Sequence, residues 1–320
     1  MSRPVAKWAY LLSHIGRPTL SPGPPDPEYE AMYDSWRNNP SLTSIGMTLR
    51  PVTIETMNMV AFTVRGGEAD DSFAQRFADA VLATLTLLYG STFDETPVAL
   101  RVPFSLLRRK KLTSSTLLGK QAIKYDERPF DELSLRLTFG GCLYVPPDVL
   151  GRVWESLPVT IADPFYDAVH HYAASIREFC FQGDDIAEVL LDDPAYPVSR
   201  RDAVRAETAV HSAFKAVEAL IGEPPKDDGK LRRKLEEIGV DPDELVGAQW
   251  FGRGPAKESV FVKVRNVHRV RDTRAAHAKT PNRSLLRYYE VMDCQGCARA
   301  VLVRAIQHQL ENSKAGVVTP

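Results

Sequence analysis

The chain has 320 residues, 44% of them hydrophobic and 25% charged, with a formal net charge of -1, a composition that fits a globular protein of two domains and excludes a disordered or fibrous one. No apolar run approaches the roughly 20 residues of a membrane span, and the apolar run AYLL near the N-terminus is too short for a secretory signal. The four cysteines, Cys142, Cys180, Cys294 and Cys297, form no secreted-style framework, so a cytoplasmic, reducing compartment with free thiols and no membrane partner is expected.

In chain order, residues 17–27, RPTLSPGPPDP, carry five prolines and read as an irregular arm. Val60, Phe62 and Val64 alternate up to Gly66-Gly67, as in a half-buried strand. Phe73, Phe77, Val81, Leu85 and Leu88 follow at helical spacing, with Asp70, Asp71 and Ser72 available as caps and Gly90 as a stop, which predicts a helix. Leu133, Leu135, Leu137 and Phe139 alternate with polar residues, and Gly140-Gly141 then leads to CLYV, a predicted hairpin. Residues 1–145 therefore read as a mixed α+β domain.

From residue 146 the strand signals stop, and residues 146–320 read as an all-α bundle. Asp163-Pro164 suits an N-cap and first helical position, ahead of Phe165, Val169, Tyr172 and Ile176 on one face. An acidic, proline-containing loop is expected over 183–198. Val210, Ala213, Phe214, Val217, Leu220 and Ile221 form a core stripe that Gly222 and Pro224-Pro225 end. A short charged helix at LRRKLEEIG is predicted next, then a helix opened by Asp241 and Pro242. Val260, Val264 and Val267 start a further helix, which Pro281 ends before one long helix over 283–311.

Charge is concentrated in two basic islands. Residues 101–124 carry seven Lys/Arg and no acid, including Arg108, Arg109, Lys110 and Lys111; residues 263–279 carry six Lys/Arg against one Asp. Either island suits RNA backbone contacts or an ordinary solvated face. The second contains VRDTRAAHAK, with Arg271, Asp272, Arg274 and His277, preceded by Arg265 and His268. Arginine supplies a forked, permanent cation for a phosphate, and histidine exchanges a proton near neutral pH, so the set suits metal-free phosphodiester cleavage. Asp272 is placed to orient a basic side chain. Arg271 and His277 are six apart, about 120° around a regular helix; they converge on one ligand only if the helix ends or bends, or if a second copy of the chain completes the site.

Other candidates are weaker. Cys294-Gln-Gly-Cys297 is a CxxC inside a predicted helix with no second ligand pair, which reads as two small core residues rather than a zinc or redox site. His170, His171 and His211 read as structural or exposed. Glu218, beside the core stripe, is either exposed or paired with an arginine of the motif.

The order of these pieces resembles the HEPN superfamily of helical domains, whose signature is R-x4–6-H with a polar residue after the arginine, near a helix end and ahead of a long final helix. Arg271-Asp272 and His277 match with five intervening residues, RSLLRYYEVMDCQGCARAVLVRAIQHQL supplies the last helix, and AETAVHSAFKAVEALIG resembles the family's earlier long helix, with Glu218 at its glutamate. With a mixed N-terminal domain, the arrangement is similar to the ApeA-like branch associated with phage defence. The resemblance implies a dimeric endoribonuclease needing no metal or cofactor, leaving 2′,3′-cyclic phosphate ends. It implies Arg271 on the phosphate, His277 in proton transfer and Asp272 in support. From their charge, Arg274, Arg265, His268 and the 108–111 island are the expected RNA contacts, and the N-terminal domain is expected to sense or recruit. The alternatives are a non-catalytic HEPN module that binds a nucleotide or RNA, and a bundle that only dimerises.

Overall fold

The computed structural model describes residues 6–12, 47–54, 57–65, 71–89, 106–111, 147–179, 200–246, 257–275 and 286–315. The chain divides into two compact units, Met1–Leu82 with Val102–Pro158 and Ala83–Arg101 with Val159–Pro320. The proline-rich arm, the hairpin expected after residue 132 and the acidic loop at 183–198 lie outside the described residues.

The first unit holds β1 (Ala6–Leu12), β2 (Met47–Ile54), β3 (Met57–Arg65) and β4 (Leu106–Lys111). They pair antiparallel in the order β2-β3-β1-β4. β3 spans the Val60–Val64 alternation, and Trp8 of β1 lies opposite Val64 on one side and Lys111 on the other. Among the described residues, the basic run 108–111 therefore sits on β4 at one end of the strand order. Helix α1 (Asp71–Tyr89) covers the stretch that the Phe73–Leu88 spacing predicts, and α2 (Pro147–Thr160) follows β4.

The described part of the chain is mostly helical, and the second unit carries most of that helix. Its elements are α3 (Phe165–Glu178), α4 (Arg200–Ile221), α5 (Asp228–Glu237), α6 (Val260–Val270), a five-residue π-helical turn (Arg271–Ala275) and α7 (Tyr288–Ala315). α4 is central: α3, α7, α6 and the π turn all pack on it. The reason is in its sequence. Ala206, Ala209, Ala213 and Ala216 are fully buried between Val210, Phe214 and Val217, so small residues at helical spacing let neighbouring backbones come close while the larger ones fill the core. At the α3 crossing Ser175 Oγ donates to the Ala209 carbonyl at 2.7 Å. The buried Gln295 of α7 donates to the Ser175 carbonyl at 3.2 Å and to the Phe179 carbonyl at 2.8 Å, so one amide ties α7 to α3.

Several ends follow the sequence. Asp227 caps α5 by accepting from Lys230 N at 2.7 Å, and Ser259 caps α6 by accepting from Val262 N at 3.4 Å. Glu290 reaches back to Arg287 N at 2.9 Å at the start of α7, the reciprocal half of a capping box. Gly222 takes φ +67 at the end of α4, the left-handed stop that glycine permits.

Three expectations are corrected. Pro164, not Asp163, occupies the N-cap of α3, and no side chain caps it. Asp241 and Pro242 open no helix: Asp241 Oδ1 accepts from Asp243 N at 2.9 Å, a local turn that competes with helix formation. The chain then enters a two-residue ribbon, β5 (Leu245–Val246) against β6 (Glu258–Ser259), so strand pairing does not stop at residue 146.

Candidate functional site

Helix α6 delivers the basic motif. Val260, Val264, Val267 and Val270 are all buried, and each contributes about 1.5–3 kcal/mol on burial, which fixes the rotation of the helix. Lys263 on the same helix is 1% exposed. Its ammonium pairs with Asp293 of α7, and Glu258 lies 3.4 Å away, so a buried ion pair pins α6 to α7. Burial pushes the Asp293 carboxyl above its ordinary value, with Lys263 opposing.

Regular α geometry ends where the motif begins. Arg271 is the first residue of the π turn, and wide turns of this kind recur at functional sites. The Arg271 guanidinium lies 4.8 Å from the centroid of Phe214 on α4, a cation–π contact. Its Nη1 donates to Asp272 Oδ1 at 2.7 Å, while Asp272 Oδ2 faces His268 Nδ1 at 3.5 Å. The His268 ring also tilts onto Phe214, with centroids 5.5 Å apart. One carboxylate and one aromatic ring therefore hold Arg271 and His268 together.

The other edge of the guanidinium is unsatisfied. Arg271 Nε is buried and neither Nε nor Nη2 has a hydrogen-bond partner among the described residues. A buried donor left unpaired costs about 1–3 kcal/mol. The Nε–Nη2 edge is the fork that takes two oxygens of a carboxylate or phosphate.

The expected site residues do not all come together. Arg271, Asp272 and His268 do. Arg265 is committed elsewhere: it donates to the Pro225 carbonyl at 2.6 Å, the Lys226 carbonyl at 3.0 Å and Asp228 at 2.7 Å, bracing the α4–α5 connection. Arg274 lies in the π turn and Arg108, Arg109, Lys110 and Lys111 lie on β4 of the first unit. His277 lies outside the described residues, as does Pro281. Glu218 pairs with Lys215 on its own helix rather than with a motif arginine.

His211, read from the sequence as structural or exposed, lies half-buried near the motif. It sits on α4 one turn before Phe214, and burial, then Arg271 and Lys215, hold its imidazole below the ordinary histidine value, with Glu218 opposing. The signal was present in the spacing: positions 211, 214, 215 and 218 share one helix face.

Cys294 and Cys297 are free and buried in α7, and burial raises both thiols far above ordinary cysteine. Among the described residues no group of three or more His, Cys, Asp or Glu is arranged to hold a metal ion, and no helix is long and apolar enough to cross a membrane. No protein-family model, curated protein or solved structure matches the chain.

Proposed function

We propose that the chain is a metal-independent endoribonuclease of defence or toxin type. In this reading the second unit is a HEPN-like helical bundle and the first an α+β domain that senses or recruits. Two copies place their motifs together. The observation that carries the reading is the Arg271 guanidinium, stacked on Phe214 and clamped by Asp272 on one edge, with the Nε–Nη2 edge unpaired. A donor pair fixed before the ligand arrives needs no reorganisation when charge builds on a phosphate.

Arg271 binds the scissile phosphate and offsets the charge of the transition state. His277 acts in proton transfer, a role typically worth about 10²–10⁴-fold in rate. Asp272 fixes the rotamer of Arg271 and faces His268. Arg274 and the 108–111 island add backbone contacts, which carry salt dependence but no sequence preference. The products are a 2′,3′-cyclic phosphate and a 5′-hydroxyl.

The test is cleavage of single-stranded RNA by the intact chain in EDTA, with Arg271→Ala and His277→Ala alongside and the new 3′ ends identified by mass. Cyclic phosphate ends that disappear in both variants support the reading. RNA bound but left intact by the parent, with binding lost in Arg271→Ala, replaces the enzyme with a non-catalytic module.

A further inference from the structure

The α4 wall of this site carries a half-buried histidine, His211. Phe214 lies under Arg271 and beside His268, so the face of α4 that it belongs to looks onto the π turn. His211 is three residues earlier on that face and Lys215 four residues after it, positions that neighbour each other on a helix surface. His211 is neither sealed in the core nor fully exposed. Among the described residues neither of its ring nitrogens has a hydrogen-bond partner. A structural histidine in a packed site ordinarily spends at least one ring nitrogen on a neighbour, and this one leaves both available.

We propose that His211 belongs to the Arg271 site and is the base that takes the proton from the RNA 2′-hydroxyl, resting on the endoribonuclease reading above. The ring nitrogen accepts the hydroxyl proton, the 2′-oxygen forms its bond to phosphorus, and the bond from phosphorus to the 5′-oxygen breaks. The leaving 5′-oxygen takes a proton from water. Charge stays balanced: the phosphodiester remains an anion held by Arg271, and His211 becomes a cation until it returns its proton to water. The surroundings fit a base. Burial, Arg271 from the π turn and Lys215 from α4 hold the imidazole below its ordinary value against the pull of Glu218, which favours the neutral, proton-accepting form. Asp272, the carboxylate of the motif, is occupied by Arg271 and faces His268.

The experiment uses the full chain, EDTA and a single-stranded RNA substrate, with kcat/KM measured against pH for the parent, His211→Gln and Arg271→Ala. The proposal expects an acid limb in the parent that breaks below the ordinary histidine value. In His211→Gln it expects a loss of about 10²–10⁴-fold, with the limb gone and affinity for a 2′-deoxy substrate analogue unchanged. A His211→Gln protein that keeps the parent rate and acid limb, while Arg271→Ala is dead, overturns the role of His211 and leaves the reading standing. A parent that cuts no RNA overturns both. Because the variant could fold poorly, the parent's imidazole signals are also followed by nitrogen-15 NMR. The His211 ring should shift, and titrate at higher pH, when the 2′-deoxy analogue binds; an unmoved ring overturns the proposal without any variant.

Discussion

Replacing Lys263 with methionine keeps the length of the stem and removes only the charge. The ammonium is 1% exposed and sits between Asp293 and Glu258, whose side chains are 21% and 34% exposed. Glu258 keeps the Asn266 amide, which donates to it at 3.2 Å, whereas Asp293 is left partly buried without its cation. Breaking a buried ion pair by removing one partner costs about 3–5 kcal/mol, and the residual exposure of both carboxylates places this case near 3 kcal/mol. For a unit of this size that is a fall of roughly 6–12 °C in Tm. The loss also has a pH signature. The folded Asp293 carboxyl holds its proton to higher pH than the unfolded one, so its contribution is fully present below the ordinary carboxylate value and lost as pH rises through the folded value. Losing Lys263 removes the interaction that lowers this value and pushes it further up. The stability gap between parent and Lys263→Met should therefore widen as pH rises above the ordinary carboxylate value of about 4. Urea unfolding across that range measures it, and adding Asp293→Leu should restore most of the loss, because a buried pair can often be exchanged for apolar side chains. A Lys263→Met protein within about 0.5 kcal/mol of the parent, the range of an ordinary surface change, would refute the reasoning. So would a double variant no more stable than the single one.

Gly239 holds φ +77, and a Cβ there would lie 2.1 Å from the His308 ring, so Gly239→Ala should cost about 1–2 kcal/mol for the backbone alone and more for the clash. Thermal unfolding reads the loss, and His308→Ala should relieve only the steric share. Gln295→Leu removes the buried amide that donates to the Ser175 and Phe179 carbonyls, of which Ser175 keeps the Phe179 N–H, and should cost about 1–3 kcal/mol in a urea titration, with the far-UV spectrum unchanged. Native Cys294 and Cys297 should resist iodoacetamide at mildly alkaline pH and label fully on denaturation, read residue by residue by mass spectrometry; rapid labelling of the native chain would contradict their burial.

The helices of the second unit were legible where apolar spacing decides them. Val260, Val264 and Val267 marked α6, and Val210 to Ile221 marked the core face of α4, because a residue's burial there depends on its own helix phase. The stop at Gly222 was legible for the same local reason. The ribbon was not: two residues carry no periodicity, and the Asp241-Pro242 pair that favours a helix start also favours the side-chain turn observed. The Arg271, Asp272 and Arg274 motif could be seen in sequence, but its relation to α4 could not. Phe214 read only as core, yet it carries Arg271 on its face. Glu218 was left open between an exposed residue and a partner for a motif arginine, whereas its own helix already supplied Lys215 as a partner. Arg265 counted as part of a basic island although its guanidinium serves three acceptors at the α4–α5 connection, a long-range contact that no spacing encodes.

The central claim is that the unpaired edge of Arg271 receives a phosphate that the protein then cleaves. The most direct measurement is single-turnover cleavage of an end-labelled RNA in EDTA by the parent and by Arg271→Ala, with RNA affinity measured on the same samples. The account predicts cutting by the parent and a loss of at least about 100-fold in the variant, the scale of one transition-state donor. Equal cutting by the two proteins, or binding without cutting by the parent, would contradict it.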